Sequence, residues 1–425
     1  MLNQKSIQAV DNANFSSQFK KPLYDSYCFA NIPDKIKDFL TGERKAKLPD
    51  DVLGNLAKKY QKVVLILLDA FGWNLWQKYE NQHPFFKKLS EEGVVSKLTA
   101  QFPATTSAEI NTLHTNQSIG QHGLYEWFYF EPKVDDIIAP LLFSFANNNN
   151  KERENLKSIN LDPKTIFGTQ NFYQELKKEK INSYVFLNSE YAHSSYNNAV
   201  MNGTKIYSFE NIQESFKKLK VQILQEKNQA YYYLYLDQID LIGHNFGFES
   251  KESKNIIEAT LNELESFYQT IKNQKDILLI ITADHGQTEV NLKKTIYLNQ
   301  QFPKISENIL VNKQGKLIVP AGNCRDMFLH IKKDKLKQTQ TILAKELKGK
   351  AEVYQTEELI KLGFFGNKIS KVFRQRVGNL IILPYEHDSV WWYEKDKFEV
   401  NKIGAHGGLS KAEMEIPFML LTPTL

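Results

Sequence analysis

The apolar positions of this 425-residue chain include three short runs that each end near an acidic residue. Such runs, rich in Val, Ile, Leu and Tyr and separated by stretches of helical spacing, are typical of buried strands in a parallel α/β sheet. Because open parallel sheets bind ligands at the carboxyl ends of their strands, the acids are predicted to face a site. The runs and the residues that follow them are 63–68 with Asp69, 231–236 with Asp237 and Asp240, and 278–282 with Asp284 and His285.

The rest of the pattern predicts the elements around these strands. Helical spacing favours helices over 33–40, 72–79 and 251–272, and 93–100 is predicted as a further strand. The polar stretch 147–160 predicts either a surface loop or a lid. Helices alternating with apolar strands indicate an α/β protein with a mostly parallel central sheet.

The pattern becomes irregular after residue 287, which suggests an insertion. We predict a catalytic α/β core over 1–290, a small inserted α/β cap over 291–376 and a return to the core over 377–425. The returning segment is expected to re-enter the core at 380–383 and to end on a strand near 417–421. A chain of this length accommodates one enlarged core with a cap.

Composition narrows the class of protein. The formal charge of +5 is spread along the chain, which argues against a nucleic-acid polymer as partner. Only Cys28 and Cys324 occur, so neither a disulfide framework nor a thiolate zinc site is expected. The amino terminus has no apolar stretch resembling a signal peptide, and no apolar window is long enough to span a bilayer. We therefore expect a cytoplasmic enzyme-sized protein.

Two kinds of local pattern carry candidate chemistry. Hydroxyl residues follow Pro103 at the start of a predicted helix, and free N–H groups at a helix amino terminus attract phosphate. Asp240 and His244 are four residues apart, which places them on one face of a helical turn. A third His, His406, lies in a glycine-rich loop. Clustered Asp and His side chains are oxygen and nitrogen ligands for metal ions, so a metalloenzyme is predicted.

Taken together, these residues resemble the type I phosphodiesterase and nucleotide pyrophosphatase branch of the alkaline phosphatase superfamily. The resemblance spans almost the whole chain in the family's order. It implies an alkaline phosphatase-like α/β fold, with a mostly parallel central sheet flanked by helices on both faces. The residues that carry it are Asp69, Pro103 with Thr106, His122-Gly123, Asp240 with Gly243-His244, Asp284-His285-Gly286 and His406-Gly407.

The resemblance also implies a site with two divalent metal ions, usually zinc, although manganese accepts the same ligands. One ion would be bound by Asp240, His244 and His406. The other would be bound by Asp69, Asp284 and His285, with the oxygen of Thr106 approaching it. Two metals roughly 4 Å apart stabilise both the entering and the departing oxygens of a displacement at phosphorus.

The implied reaction is hydrolysis of a phosphodiester or pyrophosphate bond in a small phosphorylated substrate, a nucleotide or another diester. Thr106 would be the catalytic nucleophile and would form a phospho-threonine intermediate. Counting from Pro103 favours Thr106 over its neighbour Thr105, which remains an alternative. For Asp69 taken alone, the pattern favours a role as cap of the following helix.

The chain departs from the family pattern at two positions. Glu109 stands where nucleotide pyrophosphatases commonly have Asn, and Glu126 lies in the stretch where a second Asn is usual. An ionised carboxylate beside an anionic substrate would be repulsive, so each must be protonated, turned away or paired with a cation. We treat Glu109, Glu126 and Arg325 as predicted substrate contacts, Arg325 as a contact to phosphate.

Other readings of the same pattern remain open. The aromatic residues from Trp127 to Phe130 could stack on a base or an aryl leaving group, or could be buried packing. His122 is expected to structure its loop, and His114 to pack on its helix. The alternative functions are a phosphomonoesterase or phosphonate hydrolase on the same core, and a catalytically silent protein that binds a phosphorylated ligand.

Overall fold

The structure is a computed structural model that describes residues 1–147 and 152–423. The three apolar runs form adjacent parallel strands, with Lys62–Leu68 between Ala230–Leu236 and Ile277–Thr282. Residue Leu67 is level with Tyr235 on one side and with Thr282 on the other. The carboxyl ends of the three strands therefore meet at one edge of the sheet, as the sequence predicts.

Seven strands make up this central sheet. In space their order is β2-β7-β6-β1-β5-β3-β4, and β7 runs antiparallel to both of its neighbours while the other pairings are parallel. In chain order the strands are β1 Lys62–Leu68, β2 Val94–Thr99, β3 Asn182–Asn188, β4 Lys205–Phe209, β5 Ala230–Leu236, β6 Ile277–Thr282 and β7 Glu415–Leu421.

The residues of β2, β5, β6 and β7 are buried along the whole length of each strand, so both faces of the sheet are covered. Helices supply this cover. The α-helices before the small sheet are Gln4–Asp11, Ile32–Thr41, Trp73–Tyr79, Pro84–Glu92, Thr106–Thr115, Ile119–His122, Pro163–Phe167, Phe172–Lys178, Ser195–Val200, Ile212–Gln225, Gln238–Phe246, Lys251–Ile271 and Leu298–Gln301. Those that follow it along the chain or lie within it are Leu336–Glu346, Thr356–Lys361, Lys371–Arg376 and Lys411–Met414.

A second, smaller sheet contains four antiparallel strands in the order Ala321–Asn323, Asp326–Leu329, Leu380–Pro384 and Ala351–Gln355. The segment predicted to return to the core, 380–383, is an inner strand of this small sheet. Its side chains alternate between two apolar clusters: Ile381 and Leu383 pack in the main core, and Leu380 and Ile382 pack in the smaller cluster. The division into a core and a cap, with the boundaries predicted from the sequence, remains a proposal.

The other predicted elements are found close to their expected positions. The predicted helices at 33–40, 72–79 and 251–272 and the strand at 93–100 form within one or two residues of their bounds. Part of the predicted polar loop, residues 148–151, lies outside the described residues. Within the two described ranges, none of the helices has the length and apolar character needed to cross a membrane.

Candidate active site

The acids at the sheet edge come from three adjacent strands. Asp69 directly follows β1 and is almost fully buried, and Asp284 with His285 follows β6 and is fully buried. After β5 the chain enters the helix Gln238–Phe246, whose first turn carries Asp240. Parallel pairing of these strands brings residues more than 200 positions apart into one cluster.

Thr106 lies at the first position of the helix Thr106–Thr115 and faces the same cluster. Its Oγ1 is 3.1 Å from Nε2 of His285. Thr105 precedes the helix in an extended conformation and also borders the cavity described below. The geometry thus brings the hydroxyl of Thr106 to the predicted metal ligands, as the spacing from Pro103 favours.

The first predicted ligand set is found together. Nε2 of His244 is 3.3 Å from Oδ2 of Asp240, and Nε2 of His406 is 3.8 Å from Oδ1 of Asp240. Their ligand atoms all lie within 4.8 Å of one another. The strand Gly404–Ala405, paired with Thr288–Glu289, brings the loop of His406 over the sheet edge.

The second set lies beside the first. Nε2 of His285 is 3.6 Å from Oδ1 of Asp69 and 3.5 Å from Oδ2 of Asp284. The ligand atoms that fall within 4.8 Å of one another here belong to Asp69, Asp240 and His285, so Asp240 borders both sets. The stacked rings of His285 and His406, with centroids 3.8 Å apart, join the two halves of the cluster.

The unpaired oxygens of the cluster indicate what it could hold. Oδ1 of Asp69 and Oδ2 of Asp284 are buried and have no hydrogen-bond partner in the described structure. The other oxygen of each is occupied: Tyr235 donates to Oδ2 of Asp69, and the backbone N–H of Ala70 donates to Oδ1 of Asp284 at 3.1 Å. Because a buried, unpaired carboxylate oxygen is costly, these two atoms fit a bound cation.

The three histidines are oriented in the same way. Each has its Nδ1 against a backbone carbonyl: His244 against Gly404 at 2.6 Å, His285 against Gly286 at 3.1 Å and His406 against Ala104 at 3.2 Å. A proton on Nδ1 satisfies each carbonyl and leaves Nε2 with a free lone pair. Metal-binding histidines are commonly fixed by this arrangement.

The charges of the cluster also favour a cation. Burial, and then the neighbouring Asp284 and Asp240, raise the pKa of Asp69 well above its usual value. Burial, and then the proximity of His285 and His244, lower the pKa of His406 well below its usual value. Crowded carboxylates repel one another and neutral imidazoles are good ligands, so divalent cations would relieve the repulsion and use both groups.

A cavity of about 630 Å³ adjoins the cluster, large enough for a small-molecule substrate. Its wall includes Thr106, the first ligand set and Asp69. Trp127 and Phe128 line it, whereas Tyr129 of the same aromatic run is buried in packing. The other apolar and aromatic residues of the wall include Ile110, Leu141, Leu142, Leu187, Tyr191, Met201, Tyr235, Leu241, Trp391 and Val400.

The three predicted substrate contacts do not line this cavity. Glu109 is turned into the protein, where its carboxylate accepts from the side-chain amide of Gln101 at 2.7 Å and from the backbone N–H of the same residue. Burial raises the pKa of Glu109 well above its usual value. Glu109 could be protonated, turned away from the site or paired with a cation, and the structure shows that it is turned away.

The predicted contact between Arg325 and phosphate was wrong, because this side chain is also turned into the protein. Its guanidinium is fully buried, donates to both carboxylate oxygens of Glu413 at 3.0 and 2.9 Å, and donates again to the carbonyls of Tyr385 and Asp388. Because its donors are taken up inside the protein, Arg325 is not free to bind phosphate.

Glu126 is also fully buried and is not part of the cavity wall, although its two hydrogen-bond partners are. Its carboxylate accepts from the side chain of Asn323 at 2.6 Å and from the backbone N–H of Trp127. Burial raises the pKa of Glu126 to about 8. The charge conflict posed by this acid is therefore relieved by protonation.

Two residues in contact with the cluster had no signal in the sequence. Tyr235 lies within an apolar run and reads as an ordinary strand residue, yet it donates to Asp69. Gln287 follows Asp284-His285-Gly286 and donates through its side-chain amide to Asp240. Both contacts depend on strand pairing, which the order of motifs along the chain does not reveal. His114, predicted to pack on its helix, is buried and hydrogen-bonds to Tyr173. His122, predicted to structure its loop, hydrogen-bonds to Thr112 and accepts from the backbone N–H of Leu124.

Known proteins with similar sequences cover most of the chain. It is 23% identical over 328 residues to ectonucleotide pyrophosphatase/phosphodiesterase family member 7 of Mus musculus, which covers 76% of this chain and 70% of the relative. It is 24% identical over 283 residues to family member 5 of Homo sapiens, which covers 63% of this chain and 53% of the relative. The chain thus spans about half the length of the human relative.

Solved structures show the same fold. Inactive murine ectonucleotide pyrophosphatase/phosphodiesterase 5 in complex with AMP has a TM-score of 0.64 at 19% identity, covering 85% of this chain and 88% of that chain. The human protein of the same name has a TM-score of 0.61, also at 19% identity, covering 85% of this chain and 87% of that chain. The predicted alkaline phosphatase-like α/β fold is confirmed.

The family model of type I phosphodiesterase/nucleotide pyrophosphatase matches residues 63–409. The matched range begins in β1 and ends just after the loop of His406, so it contains Thr106 and the whole cluster of acids and histidines. It also covers most of the 425 residues. The chain therefore belongs to the type I phosphodiesterase/nucleotide pyrophosphatase family.

Proposed function

We propose that this protein is a metal-dependent hydrolase that cleaves a phosphodiester or pyrophosphate bond in a small substrate. The observation that carries the proposal is the position of the Thr106 hydroxyl, 3.1 Å from His285, beside buried oxygens of Asp69 and Asp284 that have no partner within the described ranges. A nucleophile next to a set of carboxylate and imidazole ligands is the arrangement that metal-assisted displacement at phosphorus requires.

Two divalent ions, zinc in preference to manganese, would be held by the residues of the cluster. Asp240, His244 and His406 would hold one ion; Asp69, Asp284 and His285 would hold the other, near Thr106. Mixed carboxylate and imidazole ligands suit zinc. When bound, the ions would supply Lewis acidity that lowers the pKa of the nucleophile and compensates charge on the phosphoryl group.

The chain's own residues account for the remaining chemistry. The helix that begins at Thr106 directs its free N–H groups towards a phosphate placed at its amino terminus. Oγ1 of Thr106 bonds to phosphorus as the bond to the leaving group breaks; the hydroxyl proton passes to solvent, and the leaving oxygen departs with the bonding electrons. Water then cleaves the phospho-threonine and restores the hydroxyl.

The cavity is consistent with a substrate that has a second substituent on phosphorus. Its wall is mainly apolar and aromatic, and it includes Trp127 and Phe128 as well as Thr105 and Thr106. A diesterase needs such a surface for the second substituent, whereas a monoesterase needs an additional cation for the extra charge. Arg325, predicted to contact phosphate, is paired with Glu413, whereas Arg153 and Lys402 are cations of the cavity wall. The apolar and aromatic surface is therefore the feature that favours a nucleotide or another small diester over a phosphomonoester.

The proposal is tested by comparing hydrolysis of bis-p-nitrophenyl phosphate with hydrolysis of p-nitrophenyl phosphate. Metal-depleted protein is assayed alone, with zinc and with manganese, beside the variant Thr106→Ala. We expect turnover of the diester that depends on added metal and falls by at least about a thousandfold in Thr106→Ala, because the covalent route is lost.

Thr105→Ala is the matched control, since it removes the neighbouring hydroxyl and leaves Thr106 in place. Preference for the monoester would support a phosphomonoesterase instead. Metal binding without turnover of either ester would support the silent binding protein, and undiminished turnover in Thr106→Ala would contradict the phospho-threonine mechanism. A cytoplasmic location remains a separate prediction, which this assay does not test.

A further inference from the structure

The inner strand β5 contains a tyrosine whose hydroxyl reaches the metal-ligand cluster. We propose that Tyr235 is a positioning residue that orients Asp69 and thereby sets the affinity of the metal position beside Thr106. The inference rests on the proposed function, because it assumes that Asp69 is a ligand. It adds a residue outside the ligand set and predicts that only one of the two positions depends on it.

Strand pairing brings the two side chains together. Tyr235 is level with Leu67 in the parallel pair of β5 and β1, and Asp69 follows two residues after Leu67. The backbone N–H of Asp69 donates to the carbonyl of Leu236 at 3.0 Å, which extends the pairing by one step beyond the strand. The backbone of Asp69 is thus fixed against the end of β5, and its side chain lies within reach of the Tyr235 hydroxyl.

The hydrogen bond leaves one carboxylate oxygen for a metal. The hydroxyl of Tyr235 donates to Oδ2 of Asp69. Oδ1 has no partner in the part of the chain that the structure describes, and it is 3.6 Å from Nε2 of His285. Tyr235 therefore holds the carboxylate at one oxygen and turns the other oxygen towards the ligand that lies next to Thr106.

The other side chains of the cluster do not share this dependence. Asp284 is held by backbone N–H groups, those of Ala70 at 3.1 Å and His285 at 3.0 Å. Asp240 is held by Gln287. Loss of the Tyr235 hydroxyl therefore frees Asp69 to rotate, while these other side chains stay fixed.

The strand also supplies a matched control. Tyr233 is two residues away on the same face of β5 and is also buried, but its hydroxyl has no hydrogen-bond partner among the described residues. Tyr235→Phe and Tyr233→Phe therefore remove the same atom from the same strand. Only the first change removes a hydrogen bond to Asp69.

The experiment measures zinc affinity of the full-length metal-depleted protein by titration against a competing chromophoric chelator. We expect wild type and Tyr233→Phe each to bind two zinc ions, and we expect the affinities to be the same in the two proteins. In Tyr235→Phe we expect one ion to bind about 10–100-fold more weakly and the other to bind unchanged, as is typical when a residue that orients a ligand is removed. Diester hydrolysis by Tyr235→Phe should recover when zinc is raised to saturation.

Thermal melting of the metal-depleted variants establishes that both remain folded, since each change keeps the ring. Two zinc ions bound to Tyr235→Phe with wild-type affinity would overturn the inference while leaving the proposed function intact. An equal loss of affinity in Tyr233→Phe would also overturn it, because the effect would then not pass through Asp69. A wild-type protein that binds no zinc would overturn both.

Discussion

At the scale of single residues, Glu126 is a buried acid outside the cluster of acids and histidines, and its environment favours the protonated form. It is fully buried, and burial raises its pKa from 4.5 to about 8. Its hydrogen bonds come from Asn323 and the backbone of Trp127, and neither donor carries a charge. The folded protein therefore holds a proton on Glu126 at pH values where the unfolded chain has released it.

We predict that Glu126 makes the protein less stable as the pH rises from about 5 to 8. In this range the folded state binds one more proton than the unfolded state, so the free energy of unfolding falls by roughly 1.4 kcal/mol per pH unit through this group. Glu126→Gln, which cannot titrate, should flatten the curve by this amount. Urea unfolding of both proteins at fixed zinc concentration, from pH 5 to pH 8, measures the difference; parallel curves would contradict the prediction.

The sequence identifies residues that belong to motifs better than residues that support them. Asp240, His244 and His406 were predicted as a set, and their ligand atoms are found together. Tyr235 and its partner Asp69 are 166 residues apart, and no local pattern links a strand tyrosine to that acid. Arg325 was misjudged because its partner Glu413 lies 88 residues away. Burial and pairing over such distances are properties of the folded chain.

At the scale of elements, apolar runs locate strands but do not determine the sheet to which each strand belongs. The strands β1, β5 and β6 were predicted, since long apolar runs are typical of central parallel strands. The edge of the sheet formed by β3 and β4 was not predicted, and both strands carry polar residues within them. Leu380–Pro384 is apolar like the central strands, yet it pairs in the small sheet with Asp326–Leu329 and Ala351–Gln355.

The loop of His406 depends on the glycine that directly follows this histidine. Gly407 has φ +116°, and a Cβ added there would lie 2.3 Å from Nδ2 of Asn323 and 2.8 Å from Oδ1 of Asp326. We predict that Gly407→Ala displaces His406, lowers the amount of zinc bound and reduces diester hydrolysis at least tenfold. A misplaced ligand weakens metal binding, and the positive φ alone costs about 1–2 kcal/mol for a residue with a side chain.

Gly315→Ala is the control for the backbone effect in this prediction. Gly315 also has a positive φ, +78°, but a Cβ there would meet nothing within 4 Å. It should lose a similar amount of stability and keep its zinc. Zinc content is measured by metal analysis of purified protein after dialysis. Equal zinc content in Gly407→Ala and wild type would show that the position of His406 does not depend on this glycine.

At the scale of the whole molecule, the cluster joins segments that are far apart in the chain. Its residues range from Asp69 to His406 and are supplied by three adjacent strand ends, one helix start and one loop. The family, the fold and the hydrolase class predicted from the order of these motifs are confirmed. A group that binds across all of these segments must favour the folded state, because the unfolded chain does not hold them together.

Zinc is therefore predicted to stabilise the whole fold, and the effect should depend on concentration. Without metal, the buried carboxylates of Asp69 and Asp284 repel each other, and an oxygen of each has no partner within the described ranges. Each occupied site adds about 1.4 kcal/mol to the free energy of unfolding for every tenfold rise in free zinc above its dissociation constant. The melting temperature should fall with a chelator and rise steadily in zinc buffers of increasing free concentration.

His406→Ala should show a smaller rise, since it lacks one ligand, whereas Thr105→Ala should follow wild type. Identical melting temperatures in chelator and in saturating zinc would mean that the cluster does not hold a metal ion in the folded protein.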